Sequence, residues 1–477
     1  MIEIKNLQLE NSKILLADMV TSGEFTGADG TLYENLPDFC RVVIESSLGS
    51  GSHIMTEVWM PKDWNGILLG LGCGGMAGYI NCSGLSERIR SGYAAVTCDM
   101  GTARGEKSGI NNPDVWKDFG WRGTHNMTVM AKEIVKCHYG KEQDYAYFIG
   151  GSTGGQQAFS LAQRSPEDYD GILAGVPANN RIFLHTYFLW NNVHLRTKKG
   201  EPLFTTDEIQ QLTACGVKFF QENGDGEKGD NFITNPYQDE DTVENFLAFV
   251  KKSITFTDVQ IDALRAVYNG PVNPKTGKQI YNGMPIGSEI YSCGINDCQQ
   301  EETPHFYPFR WAFGEDYRGN DFDFADDMDT INSLMSPHMN ANNPDLGAFY
   351  ANGGKLISYS GSADPCVPYP DAMNYYNRVC EKMGGYEKVS EFFKYYLVPG
   401  RDHGAGGNGA NQVLGEEYMP LLDVIRKWRE ENIAPKHLLA VRLEEEKEIF
   451  ARKIYPYEAD GKTGKTFPKA CDEEYLR

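Results

Sequence analysis

The chain has 477 residues, 41% of them hydrophobic and 23% charged, an ordinary globular balance in a length too great for one simple core. Its net charge of −21 argues against nucleic acid and anionic membrane surfaces as partners, since both are polyanions. The 11 cysteines stand at irregular spacing with no Cys-x-x-Cys pair, and they read as buried thiols of a reducing compartment rather than a zinc site.

No basic segment followed by an apolar core opens the sequence, and no apolar run approaches membrane-spanning length, so a cytoplasmic location is expected. Within the first 60 residues the clearest strand candidates are Arg41 to Ser46 and His53 to Met60. A turn cluster, Pro61 to Gly66, leads into a short apolar strand from Ile67 to Leu71 and then a glycine-rich loop, Gly72-Cys-Gly-Gly-Met-Ala-Gly78. No Lys-Ser/Thr follows that loop, so a Walker-type phosphate site is a poor fit. Gly92 to Asp99 reads as a buried strand and Gly123 to Tyr139 as a helix, with His125 a structural member of it.

The stretch Tyr147-Phe-Ile-Gly-Gly-Ser-Thr-Gly-Gly155 combines an apolar run, a serine among glycines and a following segment of helix formers. Strand, tight turn and helix form the context of a nucleophile elbow, which places Ser152 on a strained turn at a helix N-terminus. The oxyanion donors expected with it are the backbone N–H of Thr153 and an early-loop N–H from Cys73 or Gly74. Tyr169 to Pro177 is a further short apolar run. Strands alternating with helices predict an α/β fold: a mostly parallel sheet flanked by helices.

From about residue 179 the strand–helix alternation stops, and 179–344 reads as an inserted lid domain between catalytic segments 1–178 and 345–477. It holds a helix from Thr206 to Asn223, capped by Thr205 or Thr206, and another from Asp258 to Tyr268. Between them lies an acidic glycine-rich loop, Glu222 to Pro236. Its Glu222, Asp225 and Asp230 carboxylates, with the backbone carbonyls of Phe232 and Ile233, are candidate hard-oxygen ligands for Ca²⁺, although the spacing is not an EF-hand and a solvated turn explains the composition better.

The core pattern resumes at Gly354 to Pro365, a strand ending in a turn that carries Asp364, followed by a helix from Tyr369 to Lys382. Phe392 to Val398 is the last strand candidate and runs into a glycine-rich loop holding His403. Ser, Asp and His in that order, each just past a strand, is the chain order of an α/β-hydrolase triad. Ser152 is then the nucleophile, His403 the general base and Asp364 its partner, while Asp402 and Asp371 are competing carboxylates.

These segments resemble the tannase and feruloyl esterase family. The resemblance rests on Phe119-Gly-Trp-Arg-Gly-Thr-His-Asn-Met-Thr, the elbow Gly150-Gly-Ser-Thr-Gly-Gly-Gln-Gln-Ala-Phe, Pro166-Glu-Asp-Tyr-Asp-Gly-Ile, the lid stretch Ala263 to Gly277, Ser362-Ala-Asp-Pro-Cys-Val-Pro and Pro399-Gly-Arg-Asp-His-Gly-Ala-Gly-Gly. It implies the α/β-hydrolase fold with a lid and a serine esterase acting on small esters of hydroxycinnamic (feruloyl-type) acids, with no cofactor for catalysis. The alternatives are a tannase-like galloyl esterase, another small aromatic-ester hydrolase, or a hydrolase-fold binding protein with a dead site. The resemblance also implies a Ca²⁺ site in the lid loop, although Glu222 replaces the usual Asp and one extra residue separates Asp225 from Asp230. The family's disulfide between the nucleophile and histidine loops is missing here, because Gly151 and Gly404 stand at its two positions.

Overall fold

Short apolar runs become strands that hide both faces, and this decides the architecture. Ile67–Leu71 and Ala94–Cys98 are buried at every residue. The computed structural model describes residues 2–223, 226–301 and 304–458, and the chain divides into two units. The first comprises Met1–Asn179, Trp311–Glu315 and Met335–Leu356; the second comprises Asn180–Arg310, Asp316–Leu334 and Ile357–Arg477.

The first unit carries strands β1 (Ser12–Val20), β2 (Phe39–Ser46), β3 (Ile54–Pro61), β4 (Ile67–Leu71), β5 (Ala94–Cys98), β6 (Tyr145–Gly151) and β7 (Gly171–Gly175). They run in the sheet order β1-β2-β3-β5-β4-β6-β7. The first three and β5 pair antiparallel in succession. Strands β5, β4, β6 and β7 form a parallel block with β4 and β6 at its centre. Parallel neighbours need crossovers, and helices α1 (Cys82–Arg90), α2 (Gly123–Tyr139) and α3 (Thr153–Arg164) supply them. One wide π-type turn, Asp118–Arg122, leads into α2, and Arg122 braces it by donating to Asp118 at 2.6 Å and to the Leu48 carbonyl at 2.9 Å. The strand β1 is a half-exposed edge that the apolar pattern does not mark.

In the second unit the segment Asn180–Arg310 is built of helices and turns, with two isolated bridges, Arg196 to Pro202 and Val272 to Gln279. Its helices include α4 (Arg181–His194), α5 (Thr206–Glu222), α6 (Glu240–Ser253) and α7 (Asp258–Asn269). Thr205 caps α5 and Thr257 caps α7, each in a full capping box with Glu208 and Gln260. The division between the units falls within β8 (Lys355–Gly361). Helix α8 (Tyr369–Met383) and strand β9 (Phe393–Val398) follow, and the three-stranded antiparallel sheet β10 (Gln412–Leu414), β11 (Leu438–Glu444) and β12 (Lys447–Ile454) holds the last strands among the described residues. Among the described residues no helix is long and apolar enough to cross a membrane.

Candidate active site

The elbow forms where strand β6 meets helix α3. Ser152 sits between them with φ 59° and ψ −115°, a conformation that costs a non-glycine residue and persists only where its surroundings hold it. They do hold it. The Ser152 amide donates to the Gly175 carbonyl at 3.0 Å, and its carbonyl accepts from the amides of Gln156 and Ala178, each at 3.1 Å. The flanking glycines are required by close approach: a Cβ on Gly150 would run into the Gly154 carbonyl, and one on Gly155 would lie 2.6 Å from the Pro177 Cα. Gly151 is different. A Cβ there would meet only the Gly175 carbonyl at 3.7 Å, and one on Gly404 would meet nothing within 4 Å. Packing therefore does not demand glycine at the two positions where the family's disulfide is expected.

The loop Gly72 to Gly78 lies against the start of α3. A Cβ on Gly72 would come within 2.6 Å of the Gly154 Cα, and Thr153 Oγ1 donates to the Gly75 carbonyl at 2.5 Å. Its donors differ from expectation. The Cys73 amide donates to Gln157 Oε1 at 2.9 Å, a buried bond, so it is not available to an oxyanion. The Gly74 amide donates at 2.9 Å to the hydroxyl of Tyr79, a half-exposed side chain that an incoming acceptor can replace. Thr153 is the first residue of α3, at the positive end of the helix dipole. Gln157 and Tyr79 are thus members of the site that the sequence does not single out. Burial pushes the Cys73 thiol up to about 12, which makes it inert.

His125, in α2, donates from Nδ1 to Asp168 Oδ2 at 2.8 Å, a partner 43 residues away that no local pattern announces. That hydrogen bond raises its pKa and accounts for it as a structural residue.

In the second unit, Asp364 follows β8 and His403 follows β9. Asp364 is fully buried. Its Oδ1 accepts the amides of Cys366 and Val367 at 2.8 and 2.9 Å, and its Oδ2 pairs with His403 Nδ1 at 2.8 Å. Burial opposes protonation of His403, but the charge of Asp364 and its hydrogen bond prevail and raise the imidazole pKa. With Nδ1 fixed on the carboxylate, Nε2 is the nitrogen left to exchange a proton. The two loops are tied together: Gly400 N–H donates to Ser362 Oγ at 2.7 Å, and Ala363 N–H to the Arg401 carbonyl at 3.0 Å. The competing carboxylates are engaged elsewhere. Asp402 accepts the Gly406 amide at 2.6 Å, and Asp371 accepts from Asn180 Nδ2 at 3.1 Å, with its pKa pushed up to about 6 by burial.

The described part of the acidic loop Glu222 to Pro236 does not fit Ca²⁺. Both oxygens of Asp230 face the guanidinium of Arg452, at 2.7 and 2.5 Å, in a nearly buried bidentate pair. The same guanidinium lies 5.2 Å from the Phe232 ring and 4.6 Å from the Phe450 ring. Thr234 donates to Asp230 at 2.8 Å, and Gln221 Nε2 takes the Asp230 carbonyl at 2.7 Å. Glu222 is half-exposed and 3.7 Å from Lys218. The Phe232 and Ile233 side chains are buried, and a Cβ on Gly400 would strike Phe232. Asp225 lies outside the described residues. Among the described residues no three His, Cys, Asp or Glu side chains converge as metal ligands.

Comparison with known proteins follows the same lines. The family model described as tannase and feruloyl esterase matches residues 40–304 and 316–470. An uncharacterized esterase of Xanthomonas campestris is 28% identical over 481 residues, covering 91% of this chain and 83% of that protein. Feruloyl esterase B of Aspergillus niger is 27% identical over 419 residues, covering 84% of this chain and 79% of that one. The crystal structure of feruloyl esterase B from Aspergillus oryzae superimposes with a TM-score of 0.81 at 24% identity, over 94% of this chain and 93% of the other. At that identity the likeness establishes the fold, the α/β-hydrolase sheet flanked by helices.

Proposed function

The chain belongs to the tannase and feruloyl esterase family and is a carboxylic ester hydrolase, and from that premise we propose that it cleaves small esters of hydroxycinnamic, feruloyl-type acids through Ser152, His403 and Asp364. The observation that carries the mechanism is the His403–Asp364 hydrogen bond at 2.8 Å to a buried carboxylate, which presents a base of fixed tautomer. In this reading His403 Nε2 takes the proton as Ser152 Oγ attacks the ester carbonyl. The tetrahedral oxyanion is met by the amides of Thr153 and Gly74, the latter exchanging the Tyr79 hydroxyl for the substrate oxygen. His403 returns the proton to the departing alcohol, and water then attacks the acyl-enzyme by the same route. Such a triad needs no cofactor.

The substrate class is supported by the names of the relatives, feruloyl esterases B and C of fungi. The insertion 179–344 is read as the lid that shapes the acyl pocket. Its acidic loop is read as pinned by Arg452; calcium would have to displace that guanidinium. A reducing, cytoplasmic setting is supported by thiols such as Cys73, Cys98 and Cys366.

A panel of methyl ferulate, methyl p-coumarate, methyl gallate and p-nitrophenyl acetate tests the proposal. Turnover led by methyl ferulate or p-coumarate supports it. Preference for methyl gallate moves the assignment to a galloyl esterase, and turnover of the activated acetate alone removes the aromatic-acid reading. A fluorophosphonate that fails to label Ser152 in the folded protein would favour a binding protein with a dead site.

A further inference from the structure

Just past helix α4, the second unit gathers positive charge that the proposed hydrolysis does not use. The chain turns back on itself there in a narrow loop, with Arg196 bridged to Pro202. The Thr197 amide donates to the Glu201 carbonyl and the Gly200 amide to the Thr197 carbonyl, each at 2.8 Å. Gly200 turns with φ 83°, which glycine adopts without strain, and Lys198 and Lys199 stand exposed at the tip. The Arg196 guanidinium folds back over the loop. Its Nε and Nη2 donate to the Gly200 carbonyl at 2.9 and 2.7 Å, and Nη1 reaches the Glu301 carbonyl at 3.5 Å. A Cβ on Gly200 would lie 2.8 Å from Nη2, so glycine is needed for the guanidinium as well as for the turn.

The turn Gly319–Asp321 supplies the other wall. A Cβ on Gly319 would come within 2.6 Å of Leu189 Cδ1, on α4, and 3.3 Å of the Phe306 ring. Glycine therefore lets this turn settle on the helix, and Arg318 reaches the same concavity. The cavity has a volume of about 460 Å³, with Phe306 and Asn192 as buried lining residues. Arg196, Lys198, Lys199, Arg310 and Arg318 line it against one carboxylate, that of Glu301. The chain as a whole has the opposite balance, 45 Lys and Arg against 66 Asp and Glu. Among the described residues, Arg196, Lys198, Lys199 and Arg318 have no carboxylate partner. Asn192 Nδ2 is spent on the carbonyls of Cys298 and Gln300, at 2.7 and 2.8 Å, so the donors left to a ligand are chiefly the cations.

We propose that this cavity binds a small, multiply charged phosphate compound. Like charges gathered in one concavity repel one another, and an anion among them removes that cost. The volume suits a molecule of metabolite size. A nucleic acid would carry its charge beyond the cavity onto a strongly acidic protein. Arg196 is held by backbone carbonyls, so a ligand meets an oriented guanidinium with N–H groups to spare. The two lysines are compact point charges with rotatable donors, suited to phosphate oxygens. The site is independent of ester cleavage.

Isothermal titration of the full chain at low ionic strength, with pyrophosphate, fructose 1,6-bisphosphate and citrate, tests the proposal. Both phosphate compounds should show one saturable site that weakens with added salt. Exchanging Lys198→Ser, Lys199→Ser and Arg318→Gln together should weaken it about tenfold or more. These side chains are exposed, so Tm should stay at the parental value. The same charge change at exposed positions elsewhere, Lys13→Ser, Lys62→Ser and Lys436→Ser, should leave the affinity unaltered. Tighter binding of the bisphosphate identifies a phosphate ester as the occupant, and tighter binding of pyrophosphate the inorganic anion. Absence of saturable heat, indifference to the cavity variant, equal weakening in the distant variant, or preference for citrate each overturns the proposal. The readout needs no ester turnover, so its failure and that of the esterase reading are separate results.

Discussion

The amide of Cys73 donates to Gln157 Oε1 at 2.9 Å, while Gln157 Nε2 donates to Thr124 Oγ1 at 2.8 Å, so one buried amide side chain spans the glycine loop and helix α2. Removing it strands two buried polar groups, each costing about 1–3 kcal/mol. Gln157→Leu is expected to lower Tm by several degrees and to lower kcat with KM little changed, because the loop bearing Gly74 loses its anchor. Gln157→Glu, which keeps the acceptor for Cys73, should recover part of kcat. A Leu variant with unaltered kcat would separate the loop from catalysis.

Ser152→Ala should abolish fluorophosphonate labelling and reduce kcat by about 10³–10⁶-fold while leaving Tm within a degree or two of the parent. The alanine inherits the same strained φ, so its fold is held by the same three backbone bonds. Retained ester turnover at parental rates would place the nucleophile elsewhere.

The raised pKa of His403 has a definite sign in both activity and stability. With neutral imidazole as the proposed base, kcat/KM should rise with pH along a limb lying above the ordinary value of 6.5. A folded pKa above the unfolded one means that the pair's stabilisation is fully present below the unfolded pKa and is lost as pH rises through the folded one. Asp364→Asn should lower kcat by roughly 10⁴-fold and remove the upward displacement of the limb, measured on any ester that is turned over.

Arg452 and Asp230 give a test of the acidic loop. Their side chains are only 7% and 10% exposed, so deleting one partner leaves a buried charge and costs about 3–5 kcal/mol. Arg452→Met should lower Tm by several degrees and broaden the transition. A chelator should leave the parent's Tm and activity unchanged, and isothermal titration with calcium should show no saturable heat. A calcium-dependent rise in Tm of the parent would restore the cation to this loop.

Much of this was legible because it is written locally. Parallel strands buried on both faces must be short apolar runs, and Ile67–Leu71 and Ala94–Cys98 are recognisable for that reason. Ser152, Asp364 and His403 each stand just past such a run, and the structure places them after Tyr145–Gly151, Lys355–Gly361 and Phe393–Val398. Thr205 and Thr257 carry the capping-box spacing. The edge strand Ser12–Val20 lacks that contrast because most of it stays half exposed. What escaped was the choice of partners across long separations. Cys73 looks like a ready oxyanion donor until Gln157, 84 residues on, takes its amide. Asp230 looks like a cation ligand until Arg452, 222 residues on, fills the space. Neither pairing leaves a periodicity or a spacing to read.

That last separation has a consequence for how the chain matures. Phe232, against which Gly400 packs, sits in a loop whose anchor, Arg452, belongs to the final described strand, and Arg442 of the neighbouring strand holds the carbonyls of Gly407 and Gly409. During synthesis from the N-terminus, the segment around His403 can gain these contacts only after Arg442 and Arg452 have been made. Shortening the chain through Lys447–Ile454 removes the Arg452 fastening of a loop more than two hundred residues upstream.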